Sequence, residues 1–298
     1  MAAGEDSVDV VVSHYNRSQA AHIRYMAIYA MSYLCREPSP HLNVVFIDGS
    51  PFQDAGLKSC LETLGVQYLH FGRELSFGEA YNAGIKRTTN RVVVTLANDI
   101  LIEPKQVRLL AAEAKGRVAC AIPYLTFCDY GTQRERKLPT PRTCYPNSMT
   151  LNVNAFAREA LESVGFIPEQ MSGCYNDVVL FIRLREEGWS VILRNVGRVI
   201  HLGKQTLNTQ QSSVSYETDA ALFARQYPKY WDRGVVRFHK VGQRWTTRML
   251  YRLLERLPPK AAARYGFWTW VWALEPYLSA ERGTYRKGLG RAFRAFLK

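Results

Sequence analysis

The stretch Val8-Asp9-Val10-Val11-Val12-Ser13-His14-Tyr15-Asn16-Arg17 is an apolar, β-branched run that ends in a polar cluster. The same arrangement occurs twice more, in residues 44–47 before Asp48-Gly49-Ser50 and in residues 92–96 before Ala97-Asn98-Asp99. Continuous apolar runs of this length are typical of strands buried on both faces of a parallel sheet. Ligands of such sheets bind at the carboxyl ends of the strands. The pattern therefore predicts a nucleotide-type site built from Asp48, Asp99 and the loop after the first strand.

Composition indicates a globular protein with reduced thiols. The chain has 298 residues, of which 47% are hydrophobic, enough for a packed core in one large domain or two modest ones. None of its six cysteines falls in a C-x-x-C pair, so the sequence suggests neither a zinc knuckle nor a redox pair. The N-terminal residues lack the basic flank and apolar stretch of a secretory signal, and no apolar run approaches the roughly 20 residues of a membrane span. We therefore expect a cytoplasmic location.

The first two thirds of the chain alternate strand and helix patterns, which predicts an α/β layered fold. Helices are predicted over residues 18–36, 54–64, 77–87, 104–115, 155–164 and 177–187, and further strands over 66–70, 118–123 and 190–193. Gly78 and Gly84 lie within one predicted helix, where they would allow close approach of a backbone. Residues 128–146, rich in proline and basic side chains, are predicted to form a mobile loop over the site.

Charge is concentrated at the C-terminal end. Residues 233–298 contain 15 Lys and Arg against three Glu, together with four of the six tryptophans. Such asymmetry is typical of a surface-binding segment attached to a nearly neutral body. We therefore predict two regions, residues 1–215 and residues 216–298.

The C-terminal region contains a predicted basic amphipathic helix. Arg244, Arg248, Arg252 and Arg256 recur at every fourth position beside an apolar face, and Pro258-Pro259 ends the pattern. Such a helix can lie in an anionic membrane interface, where nearby tryptophans suit the headgroup level. The alternative is an ordinary helix that packs on the first region with its basic face in solvent. We favour peripheral contact with the inner face of the membrane.

Several motifs, in order from about residue 8 to residue 201, resemble those of the family-two glycosyltransferases with the GT-A fold. Residues 10–17 resemble the "T-x-Y-N-R" loop with Ser13 in place of Thr, and residues 44–50 resemble "D-D-G-S" with Ile47 in place of the first Asp. Residues 79–84 resemble "A-x-N-x-G", and 97–99 the "D-x-D" motif with Ala97 in place of the first Asp. Residues 173–188 resemble "E-D-x-D-L-x-x-R-L-x-x-x-G" with Asn176 in place of Glu. The resemblance implies a mostly parallel sheet flanked by helices, a Rossmann-like nucleotide-binding core, followed here by a basic helical tail.

The resemblance also implies roles for individual side chains. Asp177 would be the catalytic base, and Asp99 and His201 would hold Mg²⁺ or Mn²⁺ against the donor diphosphate. The nucleotide-sugar-binding residues would be Ser13, Tyr15, Asn16, Arg17, Asp48, Asn82, Asn98 and Asp99. Three of these side chains have a structural alternative: Asp48 as a turn residue, Asp177 as a carboxylate favoured at a helix N-terminus, and His201 as a structural histidine. For Asp99 the alternative is a helix N-cap, but it is spaced wrongly to cap the helix that begins at Pro104. His14 is interpreted as a bystander, and Lys204 as either a phosphate partner or a solvated lysine.

The implied activity is inverting sugar transfer from a UDP-, dTDP- or GDP-linked donor to a hydroxyl of a membrane-associated acceptor. The resemblance suggests glycan or lipid-linked acceptors such as lipopolysaccharide or capsule precursors. One alternative is a sugar-nucleotide nucleotidyltransferase. Enzymes of that class require a glycine-rich phosphate loop after the first strand, whereas residues 13–19 contain no glycine. Another is a nucleic-acid-binding protein that uses the basic tail. It would leave Asp48, Asp99 and Asp177 unexplained, so we expect no nucleic-acid partner.

Overall fold

The computed structural model describes residues 7–37, 41–126, 142–144, 151–202 and 215–228. These ranges contain a sheet of nine strands and seven helices. The strands are β1 (Val8–His14), β2 (Leu42–Asp48), β3 (Gln67–His70), β4 (Val92–Ala97), β5 (Ile100–Leu101), β6 (Val118–Thr126), β7 (Arg142–Cys144), β8 (Val153–Ala157) and β9 (Ser190–His201). The helices are α1 (Ala21–Leu34), α2 (Ala55–Thr63), α3 (Phe77–Ile85), α4 (Pro104–Ala111), α5 (Arg158–Ser163), α6 (Asn176–Glu186) and α7 (Tyr216–Gln226).

The first half of the sheet is parallel, in the order β3-β2-β1-β4. Val10 of β1 lies between Val44 of β2 and Val94 of β4 in register, and all three side chains are buried. The central strands are buried on both faces, as the continuous apolar runs predict. Their carboxyl ends therefore meet at one edge, which brings the loops after β1, β2 and β4 together.

The second half of the sheet is mixed. Here β8 pairs antiparallel with both β4 and β6, whereas β6 pairs parallel with β9. The short strands β5 and β7 pair antiparallel with β9, and β7 lies within the segment that the sequence predicts to be a loop. Residues 128–141 and 145–146, the rest of that predicted loop, lie outside the described ranges.

Two sequence predictions in this half are wrong in extent. The helix predicted over residues 155–164 begins only at Arg158, because Val153–Ala157 form strand β8 against two neighbouring strands. The strand predicted over residues 190–193 continues to His201, and its pairing with β6 contains an irregularity between Pro123 and Leu125. That extension carries His201 to Ile100, its partner in register on β5.

Helix α3 packs closely against both the sheet and a neighbouring loop. A Cβ at Gly84 would lie 2.3 Å from a methyl carbon of Val11, and a Cβ at Gly78 would lie 2.1 Å from the carbonyl oxygen of Pro168. Both distances are far below a van der Waals contact, so the glycines allow the predicted close approach. The helix begins with a capping box, in which the Ser76 hydroxyl accepts the backbone N–H of Glu79 and the Glu79 carboxylate accepts that of Ser76.

A buried ionic network ties the amino ends of β1 and β4 to α5. The carboxylate of Asp9 is fully buried and accepts hydrogen bonds from the side chain of Asn43 (2.8 Å) and from the side chain and backbone of Asn90 (2.7 and 2.8 Å). Arg158 lies 3.0 Å from the same carboxylate and also donates to Thr88 (2.9 Å). The network closes the end of the sheet that faces away from the predicted site.

The boundary predicted at residue 215 falls directly before α7. This helix belongs to the predicted C-terminal region, and its first turn is hydrogen-bonded to residues 172–174. Residues 229–298 of that region, including the arginine stripe and Pro258-Pro259, lie outside the described residues, so the two-region division stays a prediction. Among the helices of the described ranges, none is both long enough and apolar enough to cross a membrane.

Candidate functional site

Asp48 ends β2 and joins the loops after β1 and β2. Its carboxylate is 1% exposed, accepts the backbone N–H of Ser50 at 2.9 Å and accepts the hydroxyl of Tyr68. Burial and this carboxylate raise the pKa of Tyr68 well above its ordinary value, so the hydroxyl stays protonated and donates. The Ser50 hydroxyl in turn accepts the backbone N–H of Asn16 at 2.9 Å. The loop after β1 is thereby held against the loop after β2.

The side chain of Asn16 shapes the loop before α1. Its amide oxygen accepts the backbone N–H of Ala20 (2.9 Å), and its amide nitrogen donates to the carbonyl of the same residue (3.1 Å). Tyr15 is half-buried and donates to Glu74 at 3.2 Å, whereas Arg17 is exposed. The ring of Tyr15 and the guanidinium of Arg17 therefore lie on the loop after β1, and their contacts with a nucleotide sugar stay a prediction.

His14 and Asn98 link the ends of β1 and β4. The amide nitrogen of Asn98 lies 2.6 Å from Nδ1 of His14, and both side chains are buried. Burial lowers the pKa of His14 despite the opposing effect of Asp48, so the ring is neutral at pH 7 and Nδ1 can accept the amide proton. The histidine interpreted as a bystander thus orients a predicted nucleotide-sugar-binding residue.

Asp99 and His201 meet across the β5–β9 pairing. Oδ2 of Asp99 lies 3.3 Å from Nε2 of His201, and each side chain is only about a tenth exposed. Two ligands about 2.1 Å from one ion and at right angles would be about 3 Å apart, so this donor pair fits an octahedral divalent cation. A carboxylate oxygen with an imidazole nitrogen suits Mn²⁺ better than Mg²⁺, which prefers oxygen alone.

Two protein ligands leave most of the coordination shell open. No group of three or more His, Cys, Asp and Glu side chains able to hold a metal occurs in the part of the chain that the structure describes. Any cation at Asp99 and His201 would therefore need water or donor oxygens to complete its shell, which is the usual arrangement for Mg²⁺ at phosphate sites. Lys204, the other predicted phosphate partner, lies outside the described residues.

Asn82, on α3, is bonded to the loop that follows α5. Its amide nitrogen donates to the carbonyl of Ile167 (2.8 Å) and to Glu169 (2.7 Å), and its amide oxygen accepts the backbone N–H of Ile167 (3.2 Å). Both amide protons are therefore used within the protein. Its predicted contact with the nucleotide sugar stays a prediction, and its visible effect is to hold residues 167–169 on α3.

Asp177 lies in the first turn of α6. Its carboxylate accepts the backbone N–H of Val178 at 2.8 Å, and the residue as a whole is half-buried. Burial of the group raises its pKa to about 6, and the hydrogen bonds from the backbone only partly oppose this effect. A carboxylate with a pKa near 6 is ionised at pH 7 yet is a stronger base than an ordinary aspartate.

The loop before α6 is bonded to the N-terminus of α3. Helix α3 connects β3 to β4 in the parallel half, so its N-terminus lies at the carboxyl end of the strands. The Ser76 hydroxyl there donates to the carbonyl of Glu169 (2.9 Å), and the backbone N–H of Phe77 donates to the carbonyl of Ser172 (3.3 Å). The loop that leads to Asp177 is thereby anchored at the N-terminus of α3.

Sequence reasoning missed several side chains that shape this site. Tyr68 on β3 bonds Asp48, and His70, two residues further and hence on the same face, contacts the carbonyl of Ser50 at 2.8 Å. The i, i+2 spacing of these polar aromatic residues in a short strand is the signal that could have found them. Asp219, whose carboxylate reaches residues 172–174, gives no local signal, because it reads as an ordinary acidic residue in the first turn of a helix.

Two comparisons with known proteins give a result: a sequence model shows the family, and solved structures show the fold. The sequence model described as "Glycosyl transferase family 2" matches residues 9–169. No curated protein sequence matches the chain significantly. Solved structures do match, at low sequence identity.

A structure titled as the mannosyltransferase PcManGT from Pyrobaculum calidifontis with GDP-Man and Mn²⁺ aligns with a TM-score of 0.51 and 16% identity, over 98% of this chain and 76% of the other. GalNAc-T7 with UDP, GalNAc and Mn²⁺ aligns with a TM-score of 0.60 and 14% identity, over 88% and 54%. TarS 1–349 from S. aureus with UDP-GlcNAc aligns with a TM-score of 0.55 and 12% identity, over 97% and 91%. These likenesses show the fold, and the predicted GT-A-type architecture is confirmed.

Proposed function

The chain belongs to glycosyl transferase family 2, and we propose that it is an inverting enzyme that moves a sugar from a nucleoside-diphosphate donor to a hydroxyl group. The family match favours glycosyl transfer over nucleotidyl transfer and over nucleic-acid binding. The main support for the inverting mechanism is the half-buried Asp177 in the first turn of α6, where burial raises the pKa of the carboxyl to about 6. Inversion requires one such base on the acceptor side of the donor sugar.

In the proposed reaction, Asp177 takes the proton of the acceptor hydroxyl as its oxygen bonds to the anomeric carbon. The bond between that carbon and the β-phosphate oxygen breaks, and the nucleoside diphosphate leaves from the opposite face. Proton removal by a positioned base typically contributes 10²- to 10⁴-fold in rate, on the order of 10³ here. A divalent cation at Asp99 and His201 would neutralise the charge of the leaving diphosphate.

Support for the donor class comes from the edge built around Asp48. A nucleoside offers ribose hydroxyls and ring N–H groups, which suit the buried carboxylate of Asp48 and the tied loop 13–17. Three structural neighbours are described with GDP-Man, with UDP or with UDP-GlcNAc. We propose a UDP-, dTDP- or GDP-linked donor with Mn²⁺ or Mg²⁺ for this chain.

A binding panel followed by product analysis tests this proposal. Calorimetric titration with UDP, GDP, dTDP and CMP, each with and without Mn²⁺, should show metal-dependent binding of one of the first three. Asp99→Ala should weaken the metal dependence and the nucleotide affinity together. Transfer from the corresponding nucleotide sugar should invert the anomeric configuration, which NMR of the product reports. Retention of configuration, or full activity without any metal, would contradict the proposal.

We further propose that the acceptor is associated with a membrane. The support is the excess of 12 positive charges and the four tryptophans in residues 233–298, since each basic residue near an anionic surface contributes about 1 kcal/mol. Sedimentation with phosphatidylserine vesicles should therefore occur and should decline as salt shortens the Debye length to about 3 Å at 1 M. A chain truncated after Gly234 should lose sedimentation while nucleotide binding remains. Salt-insensitive sedimentation, or none by the full chain, would contradict membrane contact.

A further inference from the structure

One buried carboxylate on α7 holds the loop that precedes the proposed base. Asp219 is 2% exposed, and its Oδ1 accepts the backbone N–H of Ser172 at 2.9 Å. Its Oδ2 accepts the backbone N–H groups of Gly173 (3.1 Å) and Cys174 (2.8 Å) and the hydroxyl of Ser172 (2.9 Å). Three successive backbone N–H groups that converge on one anion form a concave anion-binding arrangement. Here the anion is supplied by the chain's own helix.

The loop contains a strained residue that needs such support. Tyr175 has a φ of 64°, in the left-handed region that a bulky side chain rarely adopts. A conformation of this kind costs about 1–3 kcal/mol and persists only where the surroundings impose it. The ring of Tyr175 stacks on Phe223 of α7, with centroids 5.1 Å apart and planes 18° from parallel. Helix α7 therefore restrains the loop through both Asp219 and Phe223.

The strained residue lies directly before the start of α6. Asn176 follows it and donates to the carbonyls of Pro168 (2.8 Å) and Met171 (3.1 Å), and Asp177 comes next. The direction in which α6 leaves the loop, and hence the position of the Asp177 carboxylate, depends on the backbone at residues 172–175. The opposite side of the loop is held by α3 through the hydrogen bond from Phe77 to Ser172.

We propose that Asp219 is a positioning residue that fixes the loop at residues 172–175 so that Asp177 faces the acceptor hydroxyl. This inference rests on the proposed role of Asp177 as the base. Both carboxylate oxygens of Asp219 are bonded to residues 172–174, so Asp219 acts through the loop. Charge-assisted hydrogen bonds are about twice as strong as neutral ones, so the ionised carboxylate suits this task better than an amide would.

Asp219→Asn tests the proposal, because it keeps the shape but loses the charge and turns one acceptor into a donor that faces N–H groups. We expect the turnover number to fall about 10- to 100-fold, since a displacement of about 1 Å at a reacting group can cost that much. The dissociation constant of UDP or GDP with Mn²⁺, whichever the binding panel selects, should change less than about twofold. Turnover is followed as release of nucleoside diphosphate from the donor.

A double-mutant cycle separates positioning from general stabilisation. In the Asp177→Asn background, Asp219→Asn should cause no further loss beyond about twofold, because the group that it positions is absent. The matched control is Gln226→Ala, which removes the hydrogen bond between α7 and Gln170 (3.3 Å) but none of the contacts to residues 172–175, and it should keep the wild-type turnover number. Thermal melting of each variant identifies any that fail to fold.

Ser172→Ala is a milder second variant in case Asp219→Asn does not fold. It removes one of the four donors to Asp219 and the acceptor of the Ser215 backbone N–H (3.1 Å), and it should lower turnover a few-fold only when Asp177 is present. Wild-type turnover in folded Asp219→Asn, or an equal loss with and without Asp177, would overturn the positioning role alone. Full turnover in Asp177→Asn would instead overturn the proposed base, and this inference would fall with it.

Discussion

Buried carboxylates lie near both ends of the central strand β1, but their bonding partners differ. At the amino end, Asp9 is fully buried and its oxygens accept four hydrogen bonds, one of them from Arg158. At the carboxyl end, Asp48 and Asp99 are almost as deeply buried, at 1% and 8% exposed. Yet Asp99 faces the single imidazole of His201 at 3.3 Å, a distance suited to a shared cation. Burial alone does not separate the two ends.

The difference lies in the hydrogen bonds and the opposite charge that satisfy each carboxylate. A buried charge is tolerated when hydrogen bonds and an opposite charge satisfy it. Asp9 finds all of these within the protein, so its loss should cost stability. Asp99 and Asp177 contact His201 and Val178 within the protein and are proposed to bind the cation and the acceptor as well, so their loss should cost function. Substitutions at the two ends can therefore test whether stability and activity are separated along one strand and its neighbours.

The largest expected effect is at Asp177. Asp177→Asn should lower the turnover number about 10²- to 10⁴-fold, because the acceptor hydroxyl loses its base. Binding of UDP or GDP with Mn²⁺, measured by calorimetry, should persist because the base acts only on the acceptor. Near-normal turnover, or a loss of nucleotide affinity equal to the loss of rate, would contradict the assignment.

At the closed end, Arg158→Met should destabilise the protein by about 3–5 kcal/mol, because it leaves the carboxylate of Asp9 buried without its cation. Urea unfolding measures the loss. The folded fraction should bind nucleotide with unchanged affinity. Lys58→Met is the control, since it removes an exposed pair with Glu62 (3.8 Å) and should cost less than about 1 kcal/mol. A similar loss of unfolding free energy in both variants would show that the buried network at Asp9 stabilises the fold no more than an exposed ion pair does.

Titration of Asp177 should change the stability of the fold and the turnover number in opposite directions. Since its pKa is raised to about 6 in the folded protein from an ordinary value of 3.8, protonation favours folding. Its contribution is fully present below pH 4 and is lost as pH rises to about 6. Asp177→Asn should therefore become more stable than wild type across this window, by on the order of 3 kcal/mol, at about 1.4 kcal/mol for each pH unit between the two pKa values.

Activity should change in the opposite direction over the same range. The base must be ionised, so the turnover number should rise with pH to a half-maximum near pH 6 and level off above it. Urea unfolding of wild type and Asp177→Asn between pH 4 and pH 8 checks the stability prediction. The turnover number of wild type over the same pH range checks the activity prediction. A stability difference that does not change with pH would contradict the raised pKa.

The smallest effect is expected at Asp48, where one carboxylate serves both structure and ligand. Asp48→Asn keeps an acceptor for Ser50 or Tyr68 but loses the charge, and should weaken nucleotide binding about tenfold, roughly 1.4 kcal/mol. Tyr68→Phe removes only the hydroxyl that donates to Asp48, and it should weaken nucleotide binding less than Asp48→Asn does. Unchanged affinity in Asp48→Asn would place this carboxylate with Asp9 as a structural group.

Local sequence pattern was informative where neighbouring residues decide the outcome. The apolar runs predict β1, β2 and β4, and the 3.6-residue spacing predicts α1 and α4 close to their observed bounds. The pattern was wrong at residues 155–157, which read as the start of a helix. Their strand conformation depends on pairing with β4 and β6, whose partner residues lie more than 30 positions away. Long-range pairing of this kind leaves no periodicity in a five-residue segment.

The same division holds in the site. Motif order along the chain was enough to single out Asp48, Asp99, Asp177 and His201, because strand ends and helix starts are local features. The sequence could not show that His14 would bond Asn98, 84 positions away, or that Tyr68 would bond Asp48. These contacts arise from the order of strands in the sheet.

From its sequence alone, this chain reveals an α/β core, the edge of the sheet that carries polar residues, and the family to which its motifs point. These features follow from periodicity and from residue types at strand ends, which are local properties. The tertiary structure adds which of those residues meet: Asp99 with His201, and Asp219 with the loop before Asp177. Such meetings depend on chain segments more than 40 residues apart, and packing of whole elements, rather than local preference, brings them together.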